Sequence, residues 1–494
     1  MEWNREQRYR KLQEVNEKEK SELRELVNQC PWRQSFHIQP ITGLLNDPNG
    51  FSFYNGEYHL FYQWFPLGPV HGLKYWYHTK STDLVHWENV GIAIEPSNGY
   101  DSHGAYSGSA IEHEGQLFLL YTGNTWDENW IRQPYQCLAV MDQSGEIDKI
   151  DLPVINGVPK GYTEHFRDPK VWKQGNEFYL IIGAQRKNES GAAILYQSAN
   201  LRDWQFIGEM KTNLDHFGYM WECPDYFELD GKGIFIFSPQ GLEAEGDSYQ
   251  NIFQSGYLAG APLDFETNKF NHGVFQELDR GFDFYAPQTT LDPKGRRILV
   301  GWMGLPEIDY PTDHNGWAHC LTLPREISFK DGKLLQRPVD ELERLRGEKV
   351  EAESILKDTA AAFEGFEGVA YELSVDFWES SAEEFGVELG TGENERTVIK
   401  YDTVEKKVVF DRTNSGALFA EEFGSVRKCS FISEDISFRI FVDVSSVEIF
   451  VNDGEEVFTG RIFPGDESKG IRFFSNGGRT SVSAIKWDIA KSMK

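Results

Sequence analysis

The chain has 494 residues, a net charge of −29, and 14 tryptophans, 21 tyrosines and 35 phenylalanines. This length exceeds a single hydrophobic core, and aromatic residues favour strands, so we expect two or three mainly β domains. The negative charge disfavours nucleic acid and anionic membranes as partners, and any anionic substrate would need a local basic pocket.

Residues 1–36 are predicted to form a short N-terminal helical extension. They begin MEWNREQRYRKLQEVNEKEKSELREL, which is charged from the outset and has no apolar signal-peptide core. We interpret the charges as the solvated face of an amphipathic helix. No apolar run in the chain has the length of a membrane span, so we expect no membrane partner.

The cysteines favour a cytoplasmic location with reduced thiols. Their number is odd, they lie far apart, and none belongs to a C-x-x-C pair, so neither a disulfide framework nor a zinc knuckle is indicated. The five residues are Cys30, Cys137, Cys223, Cys320 and Cys429.

Between residues 37 and 335 the chain repeats one plan five times. Each repeat has a short strand, a turn with glycine and a second apolar strand, as in NDPNGFSFYNGEYHLFYQW from Asn46. The turn glycines recur about every 60 residues, and hairpins with such a period are typical of propeller blades. They are Gly56, Gly115, Gly175, Gly231 and Gly295. We predict a five-bladed β-propeller over 37–335; a β-sandwich with irregular hairpins is the alternative.

Three acids occupy equivalent positions in the first strands of these repeats. Asp47 and Asp168 directly precede a proline, and Glu222 lies two residues before one. Because proline is tolerated at the first position of a strand, we expect strands to start at Pro48, Pro169, Pro224 and Pro287. The first strand of each blade lines the central channel, so the three acids should meet at one mouth of it.

Carboxyl groups that meet in this way suit the hydrolysis of a glycosidic bond. One group donates a proton, and the other attacks the sugar or activates water. Glu222 follows Trp221, and apolar neighbours favour a protonated acid that can act as the donor. Asp47 lies in the polar turn NDPNG, whose amides favour an ionised nucleophile. A purely structural role for each acid is the alternative.

Aromatic residues near the expected mouth could pack on a sugar face, although a single aromatic residue more often belongs to the core. The candidates are Phe61, Trp64, Tyr106 and Trp302. The sequence contains no H-E-x-x-H motif, no glycine-rich phosphate loop and no G-x-S-x-G motif. We therefore expect no metal and no cofactor.

After the propeller the pattern changes. Residues 336–349, within QRPVDELERLRGEKV, are predicted to form a short helical linker. Residues 350–494 contain alternating strands such as FRIFVDVSSVEIFVNDGEEVFTGRIFP, with a hairpin turn at residues 452–454, and are predicted to form a C-terminal β-sandwich domain. The fold class is therefore all-β, with a propeller followed by a sandwich.

Five short blocks resemble the ordered signature blocks of glycoside hydrolase family 32, the invertase group. They are LLNDPNG (44–50), FYQ (61–63), YSGS (106–109), FRDP (166–169) and WECPD (221–225). VSSVEIFVNDG (444–454) is similar to the signature of the family's sandwich domain. The resemblance extends from about residue 37 to the C-terminus and implies a five-bladed propeller followed by a sandwich.

The resemblance also implies roles for single residues. It makes Asp47 the nucleophile that forms a fructosyl-enzyme, Glu222 the acid/base, and Asp168 the group that stabilises the transition state. It assigns further residues to substrate binding and to the pocket wall. These are Asn46, Gln63, Ser107 and Arg167 for binding, and Leu44, Leu45 and Tyr106 for the wall.

The sequence departs from the family pattern around the expected pocket. Leu45 stands where the family has a tryptophan, YSGS replaces the commoner FSGS, and a second tryptophan after FYQ is replaced in FPLGPVHGLKYWYH. The HGLKYWYH variant resembles the intracellular branch that hydrolyses sucrose 6-phosphate. That reaction, which yields glucose 6-phosphate and fructose, is the expected activity. An intracellular invertase acting on sucrose or short fructans and a carbohydrate-binding propeller without catalysis are the alternatives.

A phosphorylated sugar needs cations at the pocket rim, because the protein as a whole is strongly acidic. HGLKYWYH supplies a lysine and two histidines, and an arginine on a later loop could reach the same rim. The predicted phosphate-binding residues are His71, Lys74, His78 and Arg132. Ordinary surface cations are the alternative for each of them.

Overall fold

The structure, a computed structural model, describes residues 3–97 and 99–492. It is built mainly from strands, which form five small sheets followed by one large sheet. Each small sheet is a blade whose first strand contacts the first strands of the neighbouring blades, and the fifth blade returns to the first. The predicted five-bladed β-propeller is confirmed.

The strands of the first three blades follow one another in chain order. Blade one contains β1 (Gly43–Tyr54), β2 (Glu57–Phe65), β3 (Tyr75–Ser81) and β4 (Glu88–Ile94). Blade two contains β5 (Ala105–His113), β6 (Gln116–Trp126), β7 (Arg132–Met141) and β8 (Ile147–Lys149). Blade three contains β9 (Tyr162–Gln174), β10 (Glu177–Arg186), β11 (Gly191–Ser198) and β12 (Gln205–Glu209).

The last two blades close the ring. Blade four contains β13 (Met220–Leu229), β14 (Lys232–Gln240), β15 (Gly256–Gly260) and β16 (Gln276–Glu277). The following strands are β17 (Tyr285–Leu291), β18 (Arg297–Met303), β19 (Trp317–Ala318), β20 (Cys320–Leu321), β21 (Arg325–Lys330) and β22 (Lys333–Pro338). All of them except β19 form blade five; β19 pairs in parallel with β1, so that hydrogen bonds join the fifth repeat to the first blade.

The first strand of every blade has a β-bulge at the same place. In β1, Asn46 and Asp47 together lie opposite Gln63, and a corresponding register shift occurs in β5, β9, β13 and β17. The prolines therefore lie within or beside bulges in the middle of these strands, and the prediction that they start the strands is wrong. A bulge accepts proline because the ladder is already interrupted there, and it redirects the neighbouring side chains.

The C-terminal domain contains the ten remaining strands. They are β23 (Arg346–Ala361), β24 (Tyr371–Trp378), β25 (Glu384–Thr391), β26 (Arg396–Asp402), β27 (Lys407–Asn414), β28 (Val426–Ser430), β29 (Ile436–Asp443), β30 (Ser446–Val451), β31 (Glu456–Arg461) and β32 (Gly470–Ile489). The predicted hairpin turn is a short 3-10 turn, Asn452–Gly454, between β30 and β31.

The layers of this domain face each other as predicted for a β-sandwich, but they belong to one hydrogen-bonded sheet that curls on itself. The long strand β32 pairs with β25 through its first half and with β24 through its second half, so it passes from one layer to the other. Apolar side chains of both layers, such as Val387 and Ile440, form the core between them.

The predicted linker is only partly helical. β22 extends to Pro338, a 3-10 helix spans Asp340–Leu345, and β23 begins at Arg346. The boundaries at residues 336 and 349 stay predictions, since strands enter the segment from both sides.

The N-terminal extension is helical, as predicted. Its elements are α1 (Arg5–Arg8), a 3-10 turn (Leu12–Glu14) and α2 (Glu17–Asn28). α2 fully buries only Val27, which packs near Trp317, and leaves its charges in solvent. The residues before α2 differ, because Trp3, Tyr9 and Leu12 pack against the propeller core. In the described part of the chain no helix has the length and hydrophobicity to span a membrane.

A buried charged cluster joins the start of the propeller to the sandwich. His37 Nδ1 lies 2.8 Å from Asp443 Oδ2, and its Nε2 lies 3.0 Å from Glu448 Oε1. Arg325 Nη2 donates to the other oxygen of Glu448 at 2.6 Å. Burial alone lowers the pKa of His37, but the two carboxylates outweigh burial and raise the pKa to about 9.

Candidate active site

The bulges of the five first strands surround a cavity of about 570 Å³ at one mouth of the channel. Asp47, Asp168 and Glu222 all line it, although they come from blades one, three and four. The structure therefore brings together the three acids that the repeat predicted to be neighbours.

Corresponding positions of the five bulges form two rings of side chains. The first ring lines the cavity and contains Asn46, Tyr106, Arg167, Glu222 and Tyr285. The next residue in each strand gives the second ring, which contains Asp47, Ser107, Asp168, Cys223 and Ala286. Asp168, Cys223 and Ala286 have φ angles of 67°, 47° and 48°. Such left-handed conformations are uncommon outside glycine and cluster at functional sites.

Asp47 is held by polar side chains. Ser107 Oγ donates to Asp47 Oδ2 at 2.5 Å, and Gln63 Nε2 donates to the same oxygen at 3.2 Å. Asn46 Nδ2 donates to Asp47 Oδ1 at 3.1 Å. Burial raises the pKa of Asp47 and the charge of Glu222 adds to this, whereas the hydrogen bonds from Ser107 and Asn46 lower it. These donors thus favour the ionised carboxylate that a nucleophile requires.

Asp168 lies beside Asp47 and shares a neighbour with it. The backbone N–H of Cys223 donates to Asp168 Oδ2 at 3.0 Å, and the Cys223 thiol lies 3.7 Å from that oxygen and 3.9 Å from Asp47 Oδ2. Burial raises the pKa of Asp168 to about 7; Arg167 opposes the rise, while Glu222 and Asp47 add to it. Asp47 and Asp168 therefore hold protons more strongly than isolated carboxyls would.

Glu222 is surrounded by hydrogen-bond donors. Arg167 donates to Oε1 through Nε at 2.8 Å and Nη2 at 2.6 Å. Gln240 Nε2 donates to Oε2 at 2.8 Å, and the Tyr285 hydroxyl donates to Oε2 at 2.6 Å. Burial and the charge of Glu222 raise the pKa of Tyr285 well above its ordinary value, so this hydroxyl keeps its proton.

The expectation that Trp221 lies against the Glu222 carboxyl and keeps it protonated is wrong. Trp221 points away from the carboxyl: its indole donates to the carbonyl of Phe217 and packs on Phe237 in the core. Neighbouring side chains of a strand point to opposite faces, so Trp221 does not desolvate Glu222. The carboxyl faces a polar part of the cavity instead.

Three of the predicted phosphate-binding residues line the cavity: His71, Lys74 and Arg132. Lys74 Nζ donates to Asn46 Oδ1 at 2.6 Å, and burial lowers the pKa of Lys74 to about 7. The Arg132 guanidinium lies over the rings of Tyr106 and Trp126, at 5.7 and 5.1 Å from their centroids. Among the residues that the structure describes, neither cation forms an ion pair with a carboxylate.

His78, the fourth, lies away from the cavity, which corrects the prediction. Its Nε2 is 2.9 Å from His59 Nδ1, and its ring stacks on Phe61. Lys74 directly precedes β3, whereas His78 lies inside the strand, roughly 13 Å further along the blade. Burial lowers the pKa of His78 to about 3, so this ring is a neutral core residue.

Of the remaining residues that were predicted to contact the sugar, some line the cavity and others lie in the core. Leu44 and Trp302 line the cavity as expected. Leu45, in contrast, is buried and faces the core. Phe61 and Trp64 are also buried in the core, so none of these three residues can contact a sugar. Alternation along a strand explains the difference between Leu44 and Leu45.

Several residues that line the cavity were not predicted from the sequence. Tyr285 could have been found from the repeat, because it corresponds to Glu222 in blade five. Gln240 and His319 carry no comparable signal. Arg8 and Tyr9 of the N-terminal extension also line the cavity, together with Glu307 and Asp309 of the loop after β18.

The oxygens of Asp47 and Asp168 and the thiol of Cys223 all lie within 4.8 Å of one another, a spacing that a metal ion could bridge. Burial raises the pKa of the Cys223 thiol well above its ordinary value, which disfavours the thiolate that metal ligation requires.

A propeller cavity in which converging carboxyls are held by fixed hydrogen-bond donors suits the hydrolysis of a glycosidic bond. The chain belongs to glycosyl hydrolase family 32: the profile of the family's N-terminal domain matches residues 37–338, and that of its C-terminal domain matches residues 341–488. The resemblance found in the signature blocks is confirmed, and the chain is a glycoside hydrolase.

Relatives with this architecture match almost the whole chain. It is 47% identical to sucrose-6-phosphate hydrolase of Staphylococcus xylosus, over 99% of both chains. It is 43% identical to sucrose-6-phosphate hydrolase of Vibrio alginolyticus, over 94% of both chains.

Two solved structures are similar to this one. The structure of sucrose-6-phosphate hydrolase from Lactobacillus gasseri superposes with a TM-score of 0.93 at 39% identity, covering 99% of this chain and 100% of that one. A beta-fructofuranosidase from Bombyx mori, solved as a mutant in complex with sucrose, gives a TM-score of 0.82 at 34% identity, covering 97% of this chain and 100% of that one.

Proposed function

We propose that the chain hydrolyses the β-fructofuranosyl bond of sucrose 6-phosphate, giving glucose 6-phosphate and fructose. The observation that carries this proposal is the cavity, which joins three acids to the side chains of Lys74 and Arg132 in a protein with a net charge of −29. Full-length similarity to proteins named sucrose-6-phosphate hydrolase supports the same substrate. Five buried free cysteines support a cytoplasmic location.

In the first step Asp47 attacks the sugar. An Asp47 oxygen forms a bond to C2 of the fructosyl unit, while the bond from C2 to the bridging oxygen breaks. Glu222 transfers its proton to that oxygen, which leaves as a hydroxyl of glucose 6-phosphate. Ser107, Gln63 and Asn46 hold the attacking carboxylate in place.

The surroundings of Glu222 accept either protonation state. A hydroxyl can donate or accept a hydrogen bond, so Tyr285 can donate to ionised Glu222 and accept from protonated Glu222. Arg167 fixes the other oxygen in both states. Tyr285 and Arg167 are therefore positioning residues for the acid.

In the second step water hydrolyses the fructosyl-enzyme. Glu222, now ionised, takes a proton from water; the water oxygen bonds to C2 and the bond to Asp47 breaks. Asp168 lies beside Asp47, where its carboxylate can accept hydrogen bonds from sugar hydroxyls and stabilise positive charge that develops on the ring. Two displacements at C2 retain its configuration.

The cations supply the specificity for the phosphate. The Lys74 ammonium bonds only Asn46 among the described residues, and a phosphate beside it would favour its charged form. The Arg132 guanidinium offers a planar donor set that suits a phosphate. Without these contacts the net negative protein would repel the phosphorylated sugar.

The runner-up is an invertase that acts on sucrose or short fructans, and kinetic comparison separates the two. We expect kcat/KM for sucrose 6-phosphate to exceed that for sucrose by about 10-fold or more, the value of one charge-assisted hydrogen bond. Equal values for the two sugars would favour the invertase. Absence of fructose release from both would favour a binding protein without catalysis.

A further inference from the structure

The first part of the N-terminal extension, residues 3–15, crosses the rim of the cavity; we name it the strap. The backbone N–H of Leu73 donates to the carbonyl of Arg8 at 2.7 Å, and Arg8 Nη1 donates to the carbonyl of His71 at 2.9 Å. The backbone N–H of Leu12 donates to the Tyr75 hydroxyl at 3.1 Å. The strap is thus fixed to the loop that carries Lys74.

The other side of the strap contacts blade two. The Arg5 guanidinium lies 3.9 Å from the centroid of the Trp130 ring, and Tyr9 packs edge-on against Trp130 at 5.7 Å. Trp130 in turn stacks on Trp126, over which the Arg132 guanidinium lies. The strap therefore connects the loop that carries Lys74 with the loop before β7, the strand that begins at Arg132.

Arg8 carries an uncompensated positive charge at the cavity. It lines the cavity, and its guanidinium bonds only carbonyl oxygens, those of His71 and Trp3, among the described residues. Burial lowers the pKa of Lys74; the charge of Asp47 opposes this effect, and the nearby charge of Arg8 adds to it. Two positive charges at this distance repel each other, and a bound anion would offset that repulsion.

Acidic groups lie on another part of the rim. Glu307 and Asp309, on the loop after β18, are exposed and line the same cavity. They would repel a phosphate, whereas Arg8, Lys74 and Arg132 would attract it. The charges of the rim therefore favour one orientation of a sugar phosphate, with its phosphate toward the strap.

We infer that Arg8 is a substrate-specificity residue, whose guanidinium donates to the 6-phosphate together with Lys74 and Arg132. This inference rests on the proposed function. It extends the site from the propeller to the strap and gives the N-terminal extension a role in recognition. Arg8 is suited to the role because carbonyls fix its Nε and Nη1, while the N–H groups of Nη2 can bind a phosphate.

The test compares Arg8→Gln with Arg10→Gln. Arg10 lies on the same strap but pairs with Glu19 outside the cavity, so it controls for the loss of one charge. Inhibition of sucrose hydrolysis is measured with glucose 6-phosphate and with glucose. We expect Arg8→Gln to weaken inhibition by glucose 6-phosphate about 10-fold more than it weakens inhibition by glucose. Arg10→Gln should leave both inhibition constants and the kcat/KM for sucrose unchanged.

Equal weakening for both inhibitors, or an unchanged ratio of the two constants, would overturn the inference. If Arg8→Gln fails to fold, Arg8→Lys is tested instead, because lysine keeps the charge but not the paired donors of arginine. Roughly threefold weaker inhibition by glucose 6-phosphate alone supports the inference. An unchanged ratio of the inhibition constants for glucose 6-phosphate and glucose overturns it. If the wild-type protein binds glucose 6-phosphate no better than glucose, the proposed function itself fails. If the wild-type protein prefers glucose 6-phosphate to glucose and Arg8→Gln keeps that preference, only the role of Arg8 is refuted.

Discussion

Removing the Ser107 hydroxyl tests how Asp47 is kept ionised. Ser107 Oγ donates to Asp47 Oδ2 at 2.5 Å, and this bond opposes the rise in pKa that burial causes. A hydrogen bond to a charged group contributes about 1.5–3 kcal/mol. Because about 1.4 kcal/mol corresponds to one pH unit, Ser107→Ala should raise the pKa of Asp47 by about 1–2 pH units. The nucleophile must be ionised, so the acid limb of activity should move to higher pH.

The assay is the pH profile of kcat/KM, measured with sucrose and with sucrose 6-phosphate. At a pH below the shifted limb we expect the kcat/KM of Ser107→Ala to be roughly 10- to 150-fold lower than that of the wild-type protein for both substrates. Ser109→Ala is the matched control, since Ser109 lies on the same strand and its hydroxyl donates to the carbonyl of Pro169 at 2.8 Å, not to a catalytic acid. An unmoved acid limb in Ser107→Ala, or the same shift in Ser109→Ala, would refute the reasoning.

Three further predictions follow from the acids, the cations and the domain junction. Glu222→Gln should slow sucrose hydrolysis by about 10²–10⁴-fold but spare fructosyl transfer from β-fructofuranosyl fluoride, whose leaving group needs no proton; equal losses would contradict the acid role. Lys74→Met should raise KM for sucrose 6-phosphate about 10-fold more than KM for sucrose, and equal rises in KM would make Lys74 structural. Because the pKa of His37 is raised from 6.5 to about 9, its protonation stabilises the fold fully below pH 6.5, and this stability is lost as the pH rises through about 9. Thermal unfolding should show that loss, and a pH dependence that persists in His37→Asn would count against it.

The propeller and the acids could be predicted because the repeat carries both. Glycine turns about 60 residues apart set the blades, and equivalent positions in a closed ring must meet at its axis. Asp47, Asp168 and Glu222 therefore converge in space although long segments separate them. Tyr285 was predictable by the same argument, since it has the position of Glu222 in the fifth repeat.

The rest depended on side-chain direction and on distant contacts. Trp221 was expected beside the Glu222 carboxyl because it precedes Glu222 in sequence, and Leu45 was assigned to the pocket wall by the family resemblance. Alternation turns each of them to the core face of its strand. His78 lies too far along β3 to reach the mouth. The strap could not be predicted, because its place is set by hydrogen bonds between Arg8 and the loop at residues 71–73, which no local pattern encodes.

The central claim is that Asp47 forms a covalent bond to the fructosyl unit. In Glu222→Gln the first step with β-fructofuranosyl fluoride proceeds while the water-dependent second step lacks its base, so the intermediate should accumulate. Rapid acid quenching, proteolysis and mass spectrometry would then locate it. We expect a mass increase of one fructosyl residue on the peptide that contains Asp47. Turnover of the fluoride with no adduct, or an adduct on Asp168, would show that Asp47 is not the nucleophile.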